Sequence, residues 1–185
     1  MKLNGIYHIE NGYLSKNLNI ENGKIVYSGS ENKLSGSELS RKGDCTEFIL
    51  YFRSGLFSKN SVKSDELTVS EVKLDDISAE KKMSVIFKPY KLKGNVFTVR
   101  LNYTLGEADA FCRKYIELSA EKADGRLFLD RIDLECLSFP EGLKSWNLPQ
   151  QKNSHISGFL MSVGQPVYVD SFYYGCEFPI TRNRI

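Results

Sequence analysis

"NVFTVRLNYTL", residues 95–105, decides the fold. Phe97, Val99, Leu101, Tyr103 and Leu105 fall on one side of an extended chain, and Thr98, Arg100, Asn102 and Thr104 fall on the other. Apolar and polar residues alternating with period two is what a strand with one buried face writes into sequence. Working outward, "CTEFILYFR" (45–53), "ELTVSEVKL" (66–74) and "MSVIFKPYK" (83–91) precede it as further strand-like runs. In "RLFLDRIDLECLSF" (126–139), Ile132, Leu134 and Cys136 share one face. Arg131, Asp133 and Glu135 share the other, predicted to be a solvated charged surface. Strand following strand, with no helical period between most of them, predicts an all-β antiparallel sandwich with little helix.

The N-terminus extends the pattern. "IENG" occurs at Ile9–Gly12 and again at Ile20–Gly23, each flanked by short apolar runs. Asn-Gly between strands signals a two-residue type I′ hairpin, because both central residues need positive φ, so a β-meander is predicted there. "SGSENKLSGS" (28–37) is polar and rich in Gly and Ser, and reads as a surface loop within a region of loop from about 28 to 44. A second loop is predicted over 141–157. In "EADAFCRKYIELSAEKADG" (107–125) two readings compete. Ala108, Phe111, Cys112, Tyr115 and Ile116 make a helical stripe, whereas Cys112, Ile116 and Leu118 inward with Arg113, Tyr115 and Glu117 outward make a strand.

Composition narrows the function. The 185 residues fit one domain, 1–185, able to bury a core without metal or disulfide help. An aromatic share of 12% argues for a folded chain. A net charge of only +2 lacks the basic stripe that phosphate neutralisation requires, which excludes nucleic acid as the expected partner. No run of about 18 apolar residues is present, and the first residues do not read as a signal peptide, so neither a membrane partner nor a targeting segment is expected. Cys45, Cys112, Cys136 and Cys176 are widely spaced with no C-x-x-C pair. They read as reduced core thiols in a cytoplasmic protein rather than as metal ligands.

Catalytic signatures are missing. There is no glycine-rich phosphate loop, no G-x-S-x-G elbow and no H-E-x-x-H, so no cofactor and no metal is expected. His8 and His155 have no neighbouring ligand or acid at useful spacing, and Asp130, Asp133 and Glu135 read as a solvated face rather than a glycosidase pair. The richest remaining stretch is the last. On one continuous strand, Tyr168, Phe172 and Tyr174 would lie opposite Val169, Ser171 and Tyr173, leaving an aromatic ring outside the core. Asp170, Tyr173, Glu177 and Arg182 are therefore the expected ligand-binding or domain-docking surface, with no catalytic residue among them.

Several elements also resemble a family. Arg100-Leu101-Asn102-Tyr103, Arg113-Lys114-Tyr115-Ile116, Leu129-Asp130-Arg131-Ile132 and Leu137-Ser138-Phe139-Pro140 are similar to successive elements of a β-supersandwich. This is the galactose mutarotase-like N-terminal domain of glycoside hydrolases related to α-galactosidases. "GQPVYVDSFYYGCEFP" (164–179) is similar to a closing strand and turn of bacterial relatives. The resemblance implies a strand over 111–120. It further implies a non-catalytic, carbohydrate-associated accessory domain that packs on a catalytic barrel and forms the N-terminal portion of a longer protein. Carbohydrate and a downstream catalytic domain are the implied partners. The alternatives are a free-standing mutarotase-type enzyme, which needs a His general acid, and a protein-interaction sandwich.

Overall fold

A computed structural model describes residues 3–42, 45–55, 58–77, 79–122, 125–136, 144–147 and 166–177. The described residues are all-β, and their one helical element is a single 3₁₀ turn at Ser64–Glu66. The chain packs as two compact units, residues 1–138 and 139–185.

The first unit holds three antiparallel sheets. β1 (Gly5–Glu10), β2 (Leu14–Glu21), β3 (Lys24–Asn32) and β4 (Ser37–Lys42) pair in chain order. A second sheet joins β5 (Ile49–Ser54), β6 (Ser58–Lys63) and β12 (Phe128–Asp133) in the order β12-β5-β6. The third runs β11-β10-β8-β7, built from β7 (Val69–Ile77), β8 (Glu80–Phe87), β10 (Asn95–Gly106) and β11 (Arg113–Lys122), with β9 (Tyr90–Leu92) paired to β10. One core spans all three: Leu18 and Ile20, Leu50 and Val62, and Met83, Val85 and Leu101 are each 0% exposed. Each such burial is worth about 1.5–3 kcal/mol. Rings knit the sheets together, Phe48 edge-on to Phe87 at 5.7 Å and Phe52 tilted against Phe97 at 5.1 Å.

The alternation at residues 95–105 holds, since Phe97, Val99, Leu101, Tyr103 and Leu105 are all buried. Its opposite face departs from expectation. Asn102 is 0% exposed and Thr104 is 6% exposed, because β10 is a central strand whose neighbours cover it. Ser84 Oγ donates to Asn102 Oδ1 at 2.8 Å, Asn102 Nδ2 donates to Glu117 at 3.1 Å, and the Lys82 ammonium sits 5.5 Å from the Tyr115 ring centre beside them. Residues 113–122 form strand β11, with Lys114, Ile116 and Leu118 half-buried and Arg113, Tyr115 and Glu117 exposed. The helical stripe loses because the long β10 ladder offers those residues backbone partners from Thr104↔Arg113 to Val96↔Lys122.

Three other expectations are corrected. The loop predicted over 28–44 is largely strand: β3 and β4 pair from Tyr27↔Lys42 to Asn32↔Ser37, leaving only a turn between them. Polarity misled here because Ser28 and Gly29 are buried in the sheet, the hydroxyl of Ser28 accepting from Lys16 Nζ at 2.8 Å. The two Asn-Gly pairs also differ. Asn22 and Gly23 take φ of 53° and 77° between β2 and β3, the positive-φ pair expected of a type I′ hairpin. Asn11 and Gly12 do not take positive φ. There the Asn11 side chain closes a longer turn, accepting from the backbone N–H of Tyr13 and Leu14 and donating to the carbonyls of Gly106 and Asp109. Finally, Glu135, expected on the solvated face with Arg131 and Asp133, is half-buried and accepts from Lys114 Nζ at 2.9 Å.

In the second unit, β13 (Ser145–Asn147), β14 (Val167–Val169) and β15 (Phe172–Tyr174) form one antiparallel sheet. Most of the loop predicted over 141–157 lies outside the described residues. The single closing strand expected over 168–174 is instead a hairpin, with Asp170 at φ 50° in its turn. The pairing Tyr168↔Tyr173 puts those two rings on the same face, 5.6 Å apart, rather than on opposite sides.

Candidate functional site

The densest chemistry lies inside the first unit, where the three sheets meet. Glu47 sits between β4 and β5 and is 0% exposed. Lys114 of β11 spends three donors there: on the Glu47 carbonyl at 2.7 Å, on Glu47 Oε2 at 2.8 Å and on Glu135 Oε2 at 2.9 Å. Arg41 of β4 donates to Glu47 Oε1 at 2.6 Å, to the Thr46 carbonyl at 2.6 Å and to the Cys136 carbonyl at 2.7 Å. The Tyr103 hydroxyl of β10 donates to Glu47 Oε2. Lys16 of β2 lies 4.9 Å from the Tyr103 ring centre. Strand alternation explains the convergence, since Lys16, Arg41, Tyr103 and Lys114 all occupy inward-facing positions of their strands.

Electrostatics fixes the protonation pattern. Burial alone would push the Glu47 carboxyl up, but the charges of Lys114, Lys16 and Arg41 outweigh it and hold the group well below the ordinary carboxylate range. Burial and then the Glu47 and Glu135 charges drive the Tyr103 hydroxyl well above its usual value. For Lys114, burial pulls down while Glu135 and Glu47 pull up more strongly, and the net shift is upward. The thiols nearby are quiet: burial pushes Cys112 to about 11 and also raises Cys45 and Cys136, so none is a ready nucleophile at neutral pH. All four cysteines are free.

This arrangement is a closed structure rather than a reaction centre. Both Glu47 carboxylate oxygens, its amide and its carbonyl are engaged, the amide donating to Ser64 Oγ at 2.6 Å. Among the described residues the one buried side-chain polar atom without a partner is Asn60 Nδ2, in another sheet. A general acid or base must reach a substrate proton, and Glu47, at 0% exposed, is shielded from solvent. Among the described residues, no three His, Cys, Asp or Glu side chains gather in a way that holds a metal ion.

A shallow depression lies on the outward face of the first sheet. Ile6, Asn17, Asn19, Glu21, Val26 and Tyr27 line a depression of about 550 Å³. Asn19 Nδ2 donates to Glu21 Oε1 at 3.1 Å, Asn17 Nδ2 donates to Ser15 Oγ at 3.3 Å, and the Tyr27 hydroxyl donates to Glu38 Oε1 at 2.8 Å. The Tyr27 ring lies along its strand over Gly29, with its hydroxyl against the position a Cβ would take there. Amides, a carboxylate and apolar side chains thus share one shallow surface. His8 projects from the same face of β1 and is exposed.

The residues expected to form a surface near the C-terminus are placed in part. Asp170 is the positive-φ turn residue, its amide donating to the Lys144 carbonyl at 2.9 Å. Tyr173 is 62% exposed, its hydroxyl curled over Gly175. Glu177 is exposed two residues past that glycine. Arg182 and His155 lie outside the described residues. Sequence reading missed Glu47, Arg41, Lys16 and Lys114, which are spread over nearly a hundred positions and share no motif. The sheet-face depression was missed as well; the Asn17-x-Asn19-x-Glu21 spacing on one face of a strand is the signal that could have marked it.

Among the described residues no helix is long and apolar enough to cross a membrane. Comparisons with protein-family models, with curated proteins and with solved structures find no match.

Proposed function

We propose that this chain is a non-catalytic, carbohydrate-associated β-sandwich module that binds sugar hydroxyls on the outward face of the β1–β4 sheet. The observation that carries this reading is the depression lined by Ile6, Asn17, Asn19, Glu21, Val26 and Tyr27. A pyranose presents an apolar face and a fringe of hydroxyls, and a shallow surface mixing aliphatic and aromatic carbon with amide donors and carboxylate acceptors matches both. The most strongly ionic cluster spends its donors on Glu47 and Glu135 within the fold, which favours binding over turnover. In the same reading, the hairpin bearing Asp170, Tyr173 and Glu177 is the surface that docks on a companion catalytic domain.

The test is a screen of immobilised glycans followed by calorimetry with the full chain. The expected result is a glycan ligand whose affinity falls about tenfold or more in Asn17→Ala/Asn19→Ala, the cost of one or two lost polar contacts. Glycoside turnover or mutarotation that disappears in His8→Ala would overturn the reading in favour of an enzyme. Glycan binding unaffected by the double substitution removes the site from this face.

A further inference from the structure

We propose that β7 is a self-association edge, through which two copies of the chain join their β11-β10-β8-β7 sheets by antiparallel pairing about a two-fold axis at Leu74. The Val69 amide, at the start of β7, donates to the Gly23 carbonyl at 2.8 Å and is held by the β2–β3 turn. From Ser70 to Ile77, β8 is the one strand paired to β7, so among the described residues the opposite edge has no strand partner. Such an edge templates another strand unless proline, charge, shortness or bulging blunts it. β7 is nine residues long, has no proline, confines its one register irregularity to Val69/Glu71, and carries Glu71, Lys73, Asp75 and Asp76, charges of both signs that a second copy can pair. Leu74 and Ile77 are 52% and 67% exposed. β11, at the other edge of the sheet, exposes Arg113, Glu117, Glu121 and Lys122.

Charge complementarity points to a second copy as the occupant, and among registers that set opposite charges together the stretch free from Ser70 to Ile77 is used most fully when the axis passes through Leu74. In a two-fold antiparallel pair, residue 74 faces its own copy, and residues equally distant on either side face each other. Centring on Leu74 sets Lys73 against Asp75 of the second copy, twice by symmetry, and brings the two Leu74 side chains together, with Val72 facing Asp76 and Glu71 facing Ile77. Centring on Lys73 or on Asp75 sets like charges face to face, which is destabilising. The Leu74 side chain stands on the same side of the sheet as Val72 and Met83, so the seam prolongs the buried face across the join. In the monomer Lys73 Nζ lies 3.8 Å from Glu71, with both side chains about half exposed. That contact is weak enough to yield to a better partner.

Sedimentation of the full chain across a concentration series tests this. The wild-type chain is expected to show reversible dimerisation. Lys73→Asp and Asp75→Lys, each placing like charges opposite, are expected to weaken it about tenfold or more. An equimolar mixture of the two variants restores it, because every 73–75 pair is then of opposite sign. Leu74→Lys, with two like charges at the axis, is expected to be monomeric. A wild-type chain that stays monomeric at the highest concentrations, single variants that dimerise unchanged, or a mixture that fails to re-form dimers would each overturn the proposal. Circular dichroism melts confirm that these exposed substitutions leave the fold intact.

Discussion

Glu47 is the residue on which the interior depends, because it is the anion that three cations and a phenol share. Replacing it with glutamine leaves Arg41, Lys114 and Lys16 with Glu135 alone, and breaking a buried pair from one side costs about 3–5 kcal/mol. Urea unfolding at neutral pH should register a loss of that order in Glu47→Gln. The acid limb follows from the same group. Its folded carboxyl lies below the ordinary 4.5, so its contribution is full above the unfolded value and is lost as pH falls through the folded one. The wild-type stability profile should therefore drop steeply on acidification, and Glu47→Gln should flatten the drop. Tyr103 acts at the other end. Its folded value lies above 10.0, so its stabilisation is present below the unfolded value and disappears as pH rises toward the folded one. Tyr103→Phe should cost about 1–3 kcal/mol at neutral pH and weaken the alkaline decline.

At the scale of elements, two identical dipeptides behave differently. Gly23 takes φ 77°, and a Cβ there would lie 3.0 Å from Thr68 Cγ2 and 3.3 Å from the Val69 carbonyl. Gly23→Ala should destabilise by about 1–2 kcal/mol. Gly12 has nothing within 4 Å and no positive φ, so Gly12→Ala should be neutral or slightly stabilising through the unfolded chain. Thermal melts of the two variants separate these outcomes. The contrast marks the limit of local reading. The strand at 95–105 was legible because its buried face alternates with nothing to confuse it. The β3–β4 hairpin was not, because its buried positions hold Ser28 and Gly29, whose partners come from other strands. The hairpin at Asp170 was missed because aspartate in a left-handed turn leaves no glycine to announce it. The sheet-face depression was not anticipated from the sequence, because strand pairing, rather than any local motif, brings Ile6 and Tyr27 beside Asn17, Asn19 and Glu21.

On the scale of the whole molecule, the apolar core and the side chains packed on it lie between Leu3 and Ile132. A chain truncated to residues 1–138 should unfold cooperatively by itself, and a broad, non-cooperative urea transition would show that it needs the second unit. The ionic junction in this unit has a kinetic meaning too. Its members at 16, 41, 47, 103, 114 and 135 belong to segments that meet only when all three sheets have assembled. Closing such distant loops costs entropy before any contact returns it. The charges consequently lock after the folding barrier has been crossed, and substituting Glu47 should leave the refolding rate nearly unchanged while accelerating unfolding. The junction then acts as a clasp fastened last, setting how long the native state survives rather than how quickly it is reached.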